Sequence, residues 1–304
     1  MSILAPELRS QFLALAQTKG LAFLDEQPLF KPRSDKLAYV VVGSVATGLC
    51  TPTSDIDIAV VSDQAVYEEL TRDPAWAATL GSPESRQALT GDRPPGGDWP
   101  AQTVVDGVRL QYYCTTYEWI EAGIADLRDS YIYHYGTAVI LRDPQQRYAR
   151  LLESLRAAAP ALRKQRLEGK LDWLRRRYGT LEASLRYRDV IGAVRVGLEL
   201  IILAVKVTAL LDDVPFDPRK RLLLTGLAGR LGYQLEGSFR QLLAALGELG
   251  RLDAGTNLTE LRLPGRLVGI INILSDEARA QGFTVDLERP DPRCAESQVS
   301  SLGG

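Results

Sequence analysis

A chain of 304 residues is long enough for one large or two ordinary domains, each with its own core. Its 45% hydrophobic and 24% charged residues are the proportions of a soluble globular protein. With 36 basic against 38 acidic residues the net charge is −2, which supplies no global field toward nucleic acid and counts against tRNA or DNA as substrate. Three scattered cysteines, Cys50, Cys114 and Cys294, form no metal spacing and no disulfide framework, as expected of a reducing compartment. No signal peptide is visible, and the longest apolar run, near Leu198 to Val205, is too short to span a bilayer. The expectation is a cytoplasmic protein with no membrane partner.

Residues 4 to 24 place Leu4, Leu8, Phe12, Leu15 and Leu21 near helical spacing, with Gly20 as an interruption. Gln27 to Lys36, with Pro28 and Pro32, reads as a linker. Tyr39 to Val42 is an apolar, β-branched run of strand length, followed by Gly43-Ser44 and small residues able to open a helix. Thr51-Pro52-Thr53-Ser54 is a turn by composition, and a second strand runs from Asp55 to Val61. Ser62-Asp63 can cap a helix over Gln64 to Leu80. Residues 81 to 100, rich in Gly, Pro and charge, are a long loop, either a tolerated insertion or a substrate lid. Asp106-Gly107 is a strong two-residue turn signal joining strands Thr103 to Val105 and Val108 to Cys114. Glu118 to Leu127 predicts a helix, and Ala138 to Leu141 a short strand closed by Arg142-Asp143-Pro144. His134, the one histidine, sits among tyrosines and reads as a packing residue.

From Gln145 the strand pattern stops. Residues 145 to 159 are helical, Pro160 punctuates, and 161 to 186 form a long helix carrying Arg163, Lys164, Arg166, Lys170, Arg175, Arg176, Arg177 and Arg186. That row is either a solvated face or a track for an anionic partner. Asp189 to Leu211 is apolar almost all round, against which Arg188, Arg195, Glu199 and Lys206 fall on one narrow polar stripe. Such a stripe can face a polar cavity, offering Arg195 and Lys206 to a triphosphate while Glu199 orients Arg195. Leu222 to Leu249 and Leu258 to Ala280 complete a helical bundle. The tail from Asp286 has little apolar content and is expected to be disordered.

The chemistry concentrates in Tyr39 to Val61. Asp55 and Asp57, two apart on a strand, point to one face while Ile56 and Ile58 point to the other. Two carboxylates about 5 Å apart repel by roughly 3 kcal/mol at an effective dielectric near 20. A divalent cation removes that repulsion, and Mg²⁺ is commonly held by one or two carboxylates plus substrate phosphates. A Gly-Ser turn feeding a helix adds backbone N–H groups and a hydroxyl for a phosphate.

Gly43-Ser44, eleven intervening residues and Asp55-Ile56-Asp57 resemble the signature of the DNA polymerase β-like nucleotidyltransferase superfamily. The chain is most similar there to bacterial two-domain proteins that include aminoglycoside nucleotidyltransferases. The resemblance implies an α+β fold: a small mixed-sheet nucleotidyltransferase domain over 1–144 (core 36–144), then an all-α helical bundle over 145–285, ahead of the tail 286–304. It implies Gly43 and Ser44 at the nucleotide phosphates, Asp55 and Asp57 as catalytic residues and Mg²⁺ ligands, and a site in the cleft between the domains. Lys220, two after Pro218, is its further phosphate ligand by likeness to the Pro-x-x-Lys turn of similar transferases, one residue shorter here. The implied reaction moves a nucleoside monophosphate from a nucleoside triphosphate, ATP by preference, to an acceptor hydroxyl with release of pyrophosphate. A small molecule such as an aminoglycoside is favoured over RNA or protein as acceptor. Relatives carry a third carboxylate on the strand after the Asp106-Gly107 turn, but the matching position here is Gln111, which cannot take a proton. Either Asp106 or Glu199 replaces it, or the chain is a degenerate transferase that binds nucleotide or a partner protein without catalysis.

Overall fold

The computed structural model describes residues 6–80, 97, 100–216, 218, 222–249 and 261–283. Lys220, most of the loop expected over 81–100 and the tail from Asp286 lie outside them. The chain divides into two compact units, Met1–Ala158 and Ala159–Gly304.

The first unit is built on a five-stranded mixed sheet. Its strands are β1 (Ala38–Val42), β2 (Ile56–Ser62), β3 (Ala101–Val105), β4 (Val108–Thr116) and β5 (Val139–Arg142), in the order β3-β4-β2-β1-β5. β2 and β4 run parallel; the other pairs are antiparallel. Strand alternation sends Tyr39, Val41, Ile56, Ile58, Val60, Leu110, Tyr112 and Cys114 into one core with Phe12, Ala16, Leu21 and Leu24 from the N-terminal helices and their joining turn, and with Phe30 beyond them. Those helices are α1 (Pro6–Leu15) and α2 (Leu21–Glu26), joined by a wider π turn over Ala16–Gly20.

The stretch read as a linker is packed: Leu29 and Phe30 are fully buried, and Phe30 stacks edge-on against Tyr39 and Tyr112. Polar spacing hid two core anchors among prolines and charges. The helix expected over Gln64 to Leu80 is two, α4 (Gln64–Arg72) and α5 (Ala75–Leu80), because Pro74 bars residue 73 from the helical region. The hairpin turns where Asp106-Gly107 marked it, with φ of 48° and 79° at those residues. Further on lie α6 (Tyr117–Ala125) and α7 (Asp129–Gly136), the latter carrying His134.

Pro160 does not end a helix. A single α8 runs Arg147–Arg186 with Pro160 inside it. Pro160 and its neighbours Ala159 and Ala161 are exposed, so water can satisfy the carbonyl that loses its partner, and the surrounding alanines favour helix on both sides.

The second unit is helical: the later part of α8, α9 (Val190–Leu211), α10 (Leu222–Gly226), α11 (Arg230–Glu248) and α12 (Arg262–Ala280). Leu174, Leu200, Ala204, Phe239, Leu242, Leu267 and Leu274 are among its buried core. Among the described residues no helix is long and apolar enough to cross a membrane.

Restoring the missing N–H should strengthen α8. Pro160→Ala is expected to raise stability by about 1 kcal/mol or more. A higher urea midpoint would show it; an unchanged or lower one would mean the proline's rigidity outweighs the lost hydrogen bond.

Candidate active site

Register brings the acidic strand to the Gly-Ser bend. Asp57 stands opposite Val42 on β1 and opposite Gln111 on β4. The chain leaves β1 at Val42, so the next residue, Gly43, must bend beside the Asp57 side chain. Its φ is +70°, and a Cβ built there would lie 2.6 Å from Asp57 Oδ2. Only glycine fits on both counts. From it starts a short helix, α3 (Gly43–Thr47), whose N-terminus receives no side-chain cap and whose C-terminus closes on the left-handed Gly48, φ +79°.

Asp55 immediately precedes β2, behind a turn in which Ser54 Oγ accepts from the Thr51 N–H at 2.8 Å. Its carboxylate is held from the neighbouring strand: Gln111 Nε2 donates to Asp55 Oδ2 at 2.7 Å. Arg109, two residues before Gln111 and therefore on the same face of β4, places its NH1 3.5 Å from each Asp55 oxygen. The two acids, the glycine and the glutamine thus share one end of the sheet. Beyond Gln111 on that face the wall is aromatic. The fully buried Tyr113 hydroxyl pairs with His134 Nε2 at 2.7 Å, and its pKa is pushed well up, first by burial and to a lesser extent by Tyr135 and Asp57. His134 also meets Tyr135 edge-on, which is the packing role its setting indicated.

Asp106 lies in the β3–β4 turn, ahead of the first residue of β4, with its carboxylate 3.9 Å from Lys19 Nζ. In the second unit, Glu199 is gripped more closely by Arg177 of α8, at 2.7 Å, than by Arg195, at 3.9 Å. Arg195 keeps a side chain 69% exposed, and Lys206 is half-buried. Arg188 leaves the expected stripe: it precedes α9, with φ of +53°, and Asp189 caps that helix by accepting from the Gly192 N–H. Lys220 lies outside the described residues.

Two residues important to this geometry were not singled out from the sequence. Arg109 was detectable by its two-residue offset from Gln111. Arg9 was not: from α1, 37 residues away, its guanidinium donates to the Ala46 carbonyl at 2.9 and 3.1 Å, fastening the last turn of α3. No local pattern announces such a contact.

Residues 29–93 match the model of the nucleotidyltransferase domain family. No curated protein matches the chain. Among solved structures, a nucleotidyltransferase-like protein from Exiguobacterium sibiricum 255-15 aligns over 86% of this chain and 75% of its own, at 9% identity and a TM-score of 0.47.

Gly43→Ala should cost about 1–2 kcal/mol from the left-handed backbone alone and push the Asp57 carboxylate aside. Chemical denaturation with an unchanged far-ultraviolet spectrum is the expected record. Arg9→Ala should loosen α3 locally. Amide exchange across Gly43–Gly48 is expected to quicken by about tenfold, the equivalent of roughly 1.4 kcal/mol for a lost charged hydrogen bond.

Proposed function

We propose, on the premise that the first unit carries a polymerase β-like nucleotidyltransferase domain over residues 29–93, that this chain transfers a nucleoside monophosphate from a nucleoside triphosphate to an acceptor hydroxyl. The observation that carries this reading is the approach of the Asp57 carboxylate to Gly43, with Asp55 tied to the strand position facing Asp57.

The roles follow from the chemistry of each group. The Gly43 and Ser44 N–H groups and the Ser44 hydroxyl receive triphosphate oxygens at the start of α3. Asp55 and Asp57 offer hard oxygen ligands. Among the described residues no group of three or more His, Cys, Asp or Glu is placed to hold an ion. That donor set fits Mg²⁺, which takes its remaining ligands from phosphates and water, and does not fit a metal that needs an all-protein cage. When bound, Mg²⁺ neutralises charge developing on the phosphates. The acceptor hydroxyl attacks the α-phosphorus in line, forming the new O–P bond as the bond to the bridging oxygen breaks and pyrophosphate departs. Its proton passes to Asp57 or to water, because the Gln111 amide has no basic atom for it. ATP is the first nucleotide to test, and a small hydroxylated molecule such as an aminoglycoside the first acceptor. The net charge of −2 supports the latter over RNA.

One observation favours a second reading. Gln111 stands where an acid would serve as base, and it is already committed to Asp55. A chain so built binds nucleotide without turning it over.

Pyrophosphate release across a panel of acceptors and the four nucleoside triphosphates separates the two. Turnover in the wild type, with a loss of at least a hundredfold in Asp57→Asn and in Asp55→Asn, is the result expected for the enzyme. Thermal stabilisation by Mg²⁺ and nucleotide without turnover on any acceptor supports the binding protein. Wild-type turnover that survives both substitutions would remove the assignment.

A further inference from the structure

We infer that the site holds one divalent cation, not two, in its complex with nucleotide, and that Gln111 sets this number. The inference rests on the nucleotidyl-transfer reading above and deepens it.

An ionised carboxylate only accepts hydrogen bonds, so the end of the Gln111 amide that faces Asp55 is its NH₂ group. With Nε2 2.7 Å from Asp55 Oδ2, a hydrogen occupies the lone-pair direction that a metal ion would need on that oxygen. The same planar amide turns its own oxygen away from Asp55. Arg109 adds positive charge on this side, 3.5 Å from both carboxylate oxygens.

Two divalent ions in one transfer site stand about 3.5–4 Å apart. Their mutual repulsion is four times that of unit charges at the same spacing, and shared carboxylates are what offset it. Each ion also asks for near-octahedral oxygen coordination. Asp55 and Asp57 would supply protein oxygens for one ion, whose remaining ligands would be phosphates and water. For a second ion the residue in register with Asp57 on β4 is the neutral Gln111. Among the described residues no third His, Cys, Asp or Glu completes a cluster. Converting that amide to a carboxylate supplies the missing charge and removes the donor from Asp55 in one step.

The test counts Mn²⁺ retained with the full-length protein above that in the filtrate on ultrafiltration. It is run without acceptor and with ATP, GTP, CTP and UTP in turn. The wild type is expected to retain one Mn²⁺ per chain with its preferred nucleotide. Gln111→Glu is expected to retain two, the second at least tenfold tighter than any further binding to the wild type. Two ions on the wild type would overturn the inference and leave the nucleotidyl-transfer reading standing. One ion on both proteins would overturn the role given to Gln111. No retained ion with any nucleotide would overturn the inference together with the reading beneath it. Should Gln111→Glu fail to fold, the wild-type count alone still decides between one ion and two.

Discussion

The pairing of Val42 with Asp57 is the constraint on which the site depends. Because β1 ends at the residue opposite Asp57, the chain has to turn within reach of that carboxylate, and only a residue without a Cβ can do so at φ +70°. A shift of the pairing by one residue would send Asp57 into the core face and Ile58 toward water. Such a slip is opposed by the whole apolar set beneath it, Tyr39, Val41, Ile56, Ile58, Val60, Leu110 and Tyr112, all buried in one cluster. Core packing therefore does more than hold the sheet. It meters the distance between the Gly43-Ser44 bend and an acidic strand.

The parallel pairing of β2 with β4 adds the other half. Parallel strands need a crossover, and the segment between β2 and β4 supplies α4, α5 and the strand β3 that returns antiparallel onto β4. The outcome is that position 111, remote in sequence from Asp55, becomes its hydrogen-bond partner. Arg109 follows from the same two-residue period. Once Gln111 faces the acids, residue 109 has to face them too.

Much of this was legible without coordinates because it rests on short-range rules. Asp106-Gly107 marks its hairpin because both residues tolerate positive φ, and Gly43-Ser44 followed by spaced acids has the order of a bend and a strand. The readings that failed share a cause: each applied a local preference where tertiary context or solvent reversed it. Pro160 reads as a stop, yet an exposed helix face can leave one carbonyl to water. Gln27 to Lys36 reads as a linker, yet Leu29 and Phe30 anchor it in the core. Arg188 fits the angular stripe of α9 only if the helix extends back to it, and Asp189 caps the helix first. Arg9 is the opposite case, a contact across 37 residues that no periodicity encodes.

The basic row of α8 shows how a charge pattern changes meaning once its partners are visible. Arg163 donates to the carbonyls of Leu210 and Leu211 at the end of α9 and lies over Phe283, the work of a helix C-terminal cap. Arg166 lies over Phe216, Arg176 pairs with Asp172, Lys164 lies near Glu168, and Arg177 joins Glu199 while covering Trp173. These cations face carbonyls, carboxylates and rings of their own unit, so their count overstates the positive field available to a polyanion. Phosphate-backbone binding draws on clustered cations that exchange counterions for phosphates, and a cation already engaged by a carboxylate contributes little to that exchange. The near-zero net charge of the chain is thus matched at the scale of its most basic helix.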